Sequence, residues 1–190
     1  MSKSVLLVTD IFGRCAGLQA LVSKLTSAGA QVRLLDPYQG EVQHFADEAE
    51  AYACYSAHCG HDAYAALVAE ALTESYQLLL GFSAGATALW RSLSAVTAQQ
   101  LSQAVLFYPG QIHQHLTLQP QIPVEVIFGH TEPHFAVADI CAALQQKPAV
   151  KAFSTDYAHG FMNRASAAFD DAGYISYSDS LSRFLTQTAY

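Results

Sequence analysis

Tyr76-Gln77-Leu78-Leu79-Leu80-Gly81-Phe82-Ser83-Ala84-Gly85-Ala86 reads as an apolar strand that runs into Gly-x-Ser-x-Gly and then into a small-residue helix start. This is the pattern of a nucleophile elbow. A turn from strand to helix this tight holds its central residue in a strained conformation. Gly81 and Gly85, at minus two and plus two from Ser83, leave room for strand and helix to pack closely. The expected result is a serine oxygen lifted above the sheet edge, with the first helical N–H groups beneath it. The apolar run before the motif and the helical pattern of Ala84 to Arg91 after it give the five letters their weight.

Outward from the elbow, short apolar and β-branched runs alternate with helical patterns, which predicts α/β architecture with a mostly parallel, twisted sheet and helices on both faces. Strands are expected at Val5 to Val8, Val32 to Leu35, Gln77 to Leu80, Ala104 to Tyr108, Val124 to Phe128 and Val150 to Phe153. Leu18, Leu21, Val22 and Leu25 recur at helical spacing before Gly29. Further helices are expected over Gln43 to Tyr55, Ala63 to Leu72, Ala136 to Leu144 and Tyr177 to Thr186. No internal repeat or low-complexity linker interrupts residues 1–190, so a single domain is expected.

Composition narrows the function classes. With 52% hydrophobic and 13% charged residues, the chain has ample material for a buried core and little for disorder. A formal charge of −7 argues against nucleic acid or an anionic membrane as partner. The first apolar run is short and Asp10 follows it at once, unlike a signal peptide, and no run approaches a membrane span. Cys15, Cys54, Cys59 and Cys141 are irregularly spaced, which fits reduced thiols in a cytoplasmic protein.

Ligands of such sheets gather at the carboxyl ends of the strands. Asp10, Ser83, Tyr108 and Glu132 all follow expected strands, and so does His159 if Val150 to Phe153 is the last one. A serine hydroxyl needs a base, and the base needs a carboxylate to fix its tautomer and stabilise its protonated form. His159, in Tyr157-Ala158-His159-Gly160-Phe161, is the candidate base, and Glu132, in Gly129-His130-Thr131-Glu132-Pro133-His134, the candidate acid. Asp139 falls inside a helical pattern, and Asp156 lies awkwardly close to His159 in sequence. The order Ser, acid, His is that of the α/β-hydrolases. Oxyanion donors are expected from Ala84, which follows the nucleophile, and from Ile11 in the loop after the first strand.

Asp10-Ile11-Phe12-Gly13, Asp36-Pro37-Tyr38, Gly81-Phe82-Ser83-Ala84-Gly85, Gly129-x-x-Glu132 and His159-Gly160-Phe161 together resemble the dienelactone hydrolase family, from about Val5 to about Arg164. The resemblance implies a compact α/β-hydrolase sheet lacking the first two strands of larger relatives. It also implies hydrolysis of a small carboxylic ester or lactone without metal or organic cofactor. The chain departs from the family pattern in carrying Ser83 where cysteine is usual, Glu132 where aspartate is usual, and Asp10 where glutamate is usual. Asp10 then reads as a structural hydrogen-bond acceptor.

Around this constellation, Arg14 and Arg164 are candidates for gripping a substrate carboxylate. Phe12, Phe82, Tyr108, Phe135 and Phe161 are candidates for an aromatic wall, against the plainer reading as core. His130 and His134 read as pocket rim, because no third metal ligand is placed beside them. Cys54, His58, Cys59 and His61 lack a zinc spacing, and Cys15 reads as a buried thiol near the oxyanion loop. The leading expectation is a serine hydrolase. A non-catalytic binder of a small acid on the same scaffold, and an acyltransferase or thioesterase, stand beside it.

Overall fold

Six apolar strands lie side by side in the computed structural model, which describes residues 3–95 and 103–187. They are β1 (Lys3–Val8), β2 (Ala30–Leu35), β3 (Leu78–Phe82), β4 (Ala104–Phe107), β5 (Val124–Phe128) and β6 (Val150–Ser154). The order across the sheet is β2-β1-β3-β4-β5-β6, with every pairing parallel. This is the parallel sheet that the sequence predicts.

Near-continuous apolar strands follow from burial on both sides. Leu6, Val8 and Leu79 face one core, packed by α2 (Glu48–His58), α3 (Gly60–Ala71), α4 (Ala84–Ser92) and α5 (Val137–Gln145). Val5, Leu7, Leu78 and Leu80 face the other, under α1 (Ala16–Ser27) and α6 (Asp171–Thr186). No helix among the described residues is long and apolar enough to cross a membrane.

Helix starts differ from the periodicity reading where a carboxylate caps the helix. The expected helix over Gln43 to Tyr55 begins only at Glu48, because Asp47 accepts from the Glu50 N–H at 2.9 Å. The terminal helix begins at Asp171 rather than Tyr177, with Asp170 accepting from the Gly173 N–H at 2.8 Å. The expected strand Ala104 to Tyr108 stops at Phe107, since Tyr108 turns to a φ of 40°.

The chain leaves β1 toward β2, returns to the other side of β1 as β3, and then moves outward through β4 to β6. Between β1 and β3 the connections diverge, and a crevice opens there at the carboxyl ends of the strands. Ile11 follows β1 and Ser83 follows β3, so both stand at this point.

Candidate active site

Ser83 joins β3 to α4 at φ 49° and ψ −112°, a conformation that residues with a Cβ rarely adopt. Hydrogen bonds hold the strain from both sides. The Ser83 N–H donates to the Phe107 carbonyl at 2.9 Å, and the Ser83 carbonyl accepts from the Thr87 N–H at 3.0 Å. The flanking glycines are there for space. A Cβ on Gly81 would sit 2.6 Å from Ala86 Cα, and one on Gly85 would fall 2.6 Å from the Val8 carbonyl oxygen and closer still to that of Thr9.

Ser83 Oγ lies 2.9 Å from His159 Nε2, and His159 Nδ1 lies 2.7 Å from Glu132 Oε2. With a carboxylate on Nδ1, the ring proton belongs there and Nε2 is left to accept from the serine hydroxyl. The Glu132 side chain is fully buried, and its Oε1 has no hydrogen-bond partner among the described residues. Its charge is therefore directed through one oxygen at one N–H. Glu132 is steadied by a bridge to Phe135, whose ring packs edge-on against Phe128 of β5.

The loop carrying His159 is tied to the end of β5. The Tyr157 carbonyl accepts from the His130 N–H at 2.7 Å and from His130 Nδ1 at 2.8 Å. Gly129 permits this approach, because a Cβ there would stand 2.9 Å from the His159 nitrogen. Beyond the histidine, the Tyr108 ring packs against the imidazole with centroids 4.9 Å apart.

Ile11 and Ala84 both border the cavity beside Ser83. Ala84 is the first residue of α4, so its N–H has no carbonyl partner within the helix. The peptide that carries the Ile11 N–H is held through its carbonyl: the Asp10 oxygen accepts from the Gly13 N–H at 3.2 Å and from Thr9 Oγ1 at 3.0 Å. The Tyr38 hydroxyl adds a hydrogen bond to the Ile11 carbonyl at 2.6 Å. Asp10 itself is buried; it accepts from the Phe12 N–H at 2.9 Å and from Asn163 Nδ2 at 2.6 Å. Burial pushes its carboxyl up to about 6, although those two donors pull it back.

A cavity of about 250 Å³ opens over Ser83. Its walls include Glu48 and Tyr52 of α2, His61 of α3, Thr87 of α4, Gln111 and His134. His134 stands at the rim as expected, and the others are residues that reading the sequence missed. The signal available was the acidic capped start of α2 and His61 near the start of α3, but nothing local says that this helical pair lines a cavity with Ser83. His61 Nε2 is buried with no hydrogen-bond partner among the described residues, and burial together with Arg91 pushes the imidazole pKa down.

Several expected binding residues stand elsewhere. Arg14 turns to the buried Asp36, with Nε 2.7 Å from Oδ2. Arg164 pairs with Asp171 at 3.1 Å and lies over the Phe169 and Tyr174 rings. Neither borders the cavity. Phe82 stacks on Phe107 and Phe161 packs edge-on against Phe107, both in the core with α1 and α6; for Phe82 the reason is that successive β3 side chains alternate between the two faces. Phe12 and Tyr108 are absent from the cavity walls and border a narrow crevice beside Ser83 and His159, which Asp10 and Glu48 also border. The expected aromatic wall is thus replaced by Tyr52 and polar side chains.

Comparison with known proteins agrees with the fold. The uncharacterized protein YczH of Bacillus subtilis (strain 168) is 27% identical over an alignment of 176 residues that covers 88% of this chain and 85% of that protein. The dienelactone hydrolase-like promiscuous phosphotriesterase P91 from metagenomic libraries superposes with a TM-score of 0.69 at 16% identity, covering 97% of this chain and 85% of the other. A dienelactone hydrolase from Anabaena variabilis ATCC 29413 gives 0.59 at 17% identity, covering 96% and 84%. The two structural likenesses are of fold, and the fold is that of the α/β-hydrolases. Residues 1–186 match the dienelactone hydrolase family, a stretch that takes in every strand and helix described above. The chain belongs to the dienelactone hydrolase family and is a hydrolase.

Proposed function

We propose that the protein hydrolyses a small carboxylic ester or lactone through an acyl-enzyme on Ser83. The observation that carries this reading is the unbroken hydrogen-bond chain from Ser83 Oγ through His159 to Glu132, at 2.9 and 2.7 Å. Ser83 Oγ attacks the carbonyl carbon while His159 Nε2 takes the hydroxyl proton. Charge develops on the carbonyl oxygen, which the Ile11 and Ala84 N–H groups are proposed to receive. Such a donor contributes about 10²–10³ in rate when aimed at the developing oxyanion. The tetrahedral adduct collapses as His159 passes its proton to the departing alkoxide, leaving the acyl group on Ser83. Water then repeats the sequence, giving up one proton to His159 and releasing the acid as the proton returns to Ser83. In a lactone the departing alkoxide stays tethered to the acyl group, and one hydroxy acid is released.

The cavity of about 250 Å³ supports a small substrate, since it falls below the usual range of drug-sized pockets. The test is a panel of short nitrophenyl esters and lactones with wild type and Ser83→Ala, together with labelling by a fluorophosphonate. Ser83→Ala is expected to lose both labelling and turnover. Labelling of the variant equal to wild type would remove Ser83 from the chemistry, and product analysis with an added alcohol or thiol distinguishes hydrolysis from acyl transfer. Because His159 must be neutral to accept a proton, kcat/KM is expected to fall toward acid pH.

A further inference from the structure

We infer that the site selects against esters with an anionic group near the scissile carbonyl, and that Glu48 is the residue that sets this preference for neutral and cationic substrates. The inference deepens the ester-hydrolase reading and rests on it.

A census of charge supports it. The sequence holds nine lysines and arginines, and all nine lie within the described residues. None borders the cavity over Ser83 or the crevice beside it. Arg14 and Arg164 are committed elsewhere: Arg14 to Asp36, and Arg164 to Asp171 and two aromatic rings. Arg91 stands behind His61, where it donates to the His61 carbonyl at 3.1 Å and to Asp62 at 2.8 Å. His61 itself is held toward its neutral form by burial and by that arginine.

The carboxylates are distributed the other way. Glu132 borders the cavity but is spent on His159. Glu48 borders both the cavity and the crevice, and so does Ser83. Its charge also reaches the buried Asp10 carboxyl, which it helps to push up. The partial positive charge at the start of α2 does not offset this, because Asp47, Glu48 and Glu50 all stand at that end. Asp47 is engaged by the Glu50 N–H and Glu50 by the Ala46 N–H, which leaves Glu48 as the carboxylate facing the ligand. A like charge at the mouth of a partly wet site weakens an anionic ligand by about three- to tenfold at low salt, and added salt shrinks the factor.

The test uses three 4-nitrophenyl esters of similar length: the pentanoate, the glutarate half-ester and the 4-(trimethylammonio)butanoate. Rates are corrected for spontaneous hydrolysis and read at about pH 8, where an ordinary imidazole is neutral. Wild-type kcat/KM is expected to favour the cationic over the anionic ester by about tenfold or more in dilute buffer, with a smaller ratio in about 0.2 M salt. Glu48→Gln is expected to reduce that ratio by about three- to tenfold. Glu74→Gln makes the same change in net charge beside Arg33, away from the cavity, and is expected to leave the ratio in place. A half-ester turned over as fast as the pentanoate overturns the selectivity, and so does an equal loss of ratio in the two variants. Absence of any turnover that depends on Ser83 instead overturns the hydrolase reading, and the selectivity falls with it.

Discussion

Asn163 Nδ2 donates to Asp10 Oδ2 at 2.6 Å, and this one hydrogen bond ties the loop that carries His159 to the loop that carries Ile11. Both partners are buried. Asn163 is oriented for the task, since its Oδ1 accepts from the Ala165 N–H at 2.9 Å and from Cys15 Sγ at 3.2 Å. The proposed base and the proposed oxyanion donor are thereby placed relative to one another by a link that touches neither.

Asn163→Ala leaves Asp10 with a buried, unpaired oxygen, and is expected to cost about 1–3 kcal/mol of stability. Asn163→Asp sets a second carboxyl against the first, and one shared proton relieves the pair. Its deficit in urea unfolding is therefore expected to be larger at about pH 8 than at about pH 5. Equal deficits at the two pH values would show that the Asp10 contact is not what the substitution disturbs. In both variants kcat is expected to fall by more than KM changes, because misplaced oxyanion donors act in the transition state.

Asp10 gives wild-type stability a definite pH dependence. Its carboxyl titrates at about 6 in the folded protein against an ordinary value of 3.8, so between these limits the native state binds more protons than the unfolded chain. The sign follows: this stabilising contribution is complete below about 3.8 and is lost as pH rises through about 6. Its size is on the order of 2–3 kcal/mol. Chemical denaturation across this range is expected to show the slope in wild type and to show it removed in Asp10→Asn. A slope that persists in the variant would assign it to another group.

Gly129→Ala probes the spacing of the base. The added carbon would meet the His159 nitrogen at 2.9 Å and the Tyr157 carbonyl oxygen at 3.0 Å, both backbone atoms that cannot swing aside. Overpacking of this kind costs about 1–3 kcal/mol. A displacement of the imidazole by a fraction of an ångström is expected to lower kcat by about tenfold to a hundredfold, with circular dichroism unchanged. Undiminished turnover of a nitrophenyl ester by the folded variant would show that the loop yields without moving the ring.

Much of this architecture was legible along the chain. The apolar runs are the strands, and residues that directly follow them, such as Ile11 and Ser83, meet at the strand ends because a parallel sheet brings those ends together. Glu132 and His159 were readable for the same reason. Long side chains were harder, because Arg14 and Arg164 choose partners by distance in space: Asp36 on a neighbouring loop, Asp171 at the start of a helix. Phe82 and Phe161 were misplaced because side-chain direction depends on the phase of the strand or turn, which composition does not carry. Asp47 and Asp170 are ordinary cap residues, and each sets a helix start through a side-chain hydrogen bond that hydrophobic periodicity does not register. The remaining gap, the roof formed by Glu48, Tyr52 and His61, depends on where a connection between distant strands passes.

That connection has an implication for how the protein can change. Glu48, Tyr52 and His61 all belong to one uninterrupted stretch of chain between β2 and β3, whereas Ser83, Glu132 and His159 follow three different strands. Under the proposed function, this stretch supplies three of the side chains that line the cavity, beside Thr87, Gln111 and His134, while the proposed reacting groups are dispersed and held by the sheet. Exchange of residues 48–71 for the corresponding segment of a relative is expected to change what enters the site, provided that the Tyr64 hydroxyl, which donates to the Thr9 carbonyl at 3.0 Å, is kept. Diversification by recombination has a short, well-defined target in this fold.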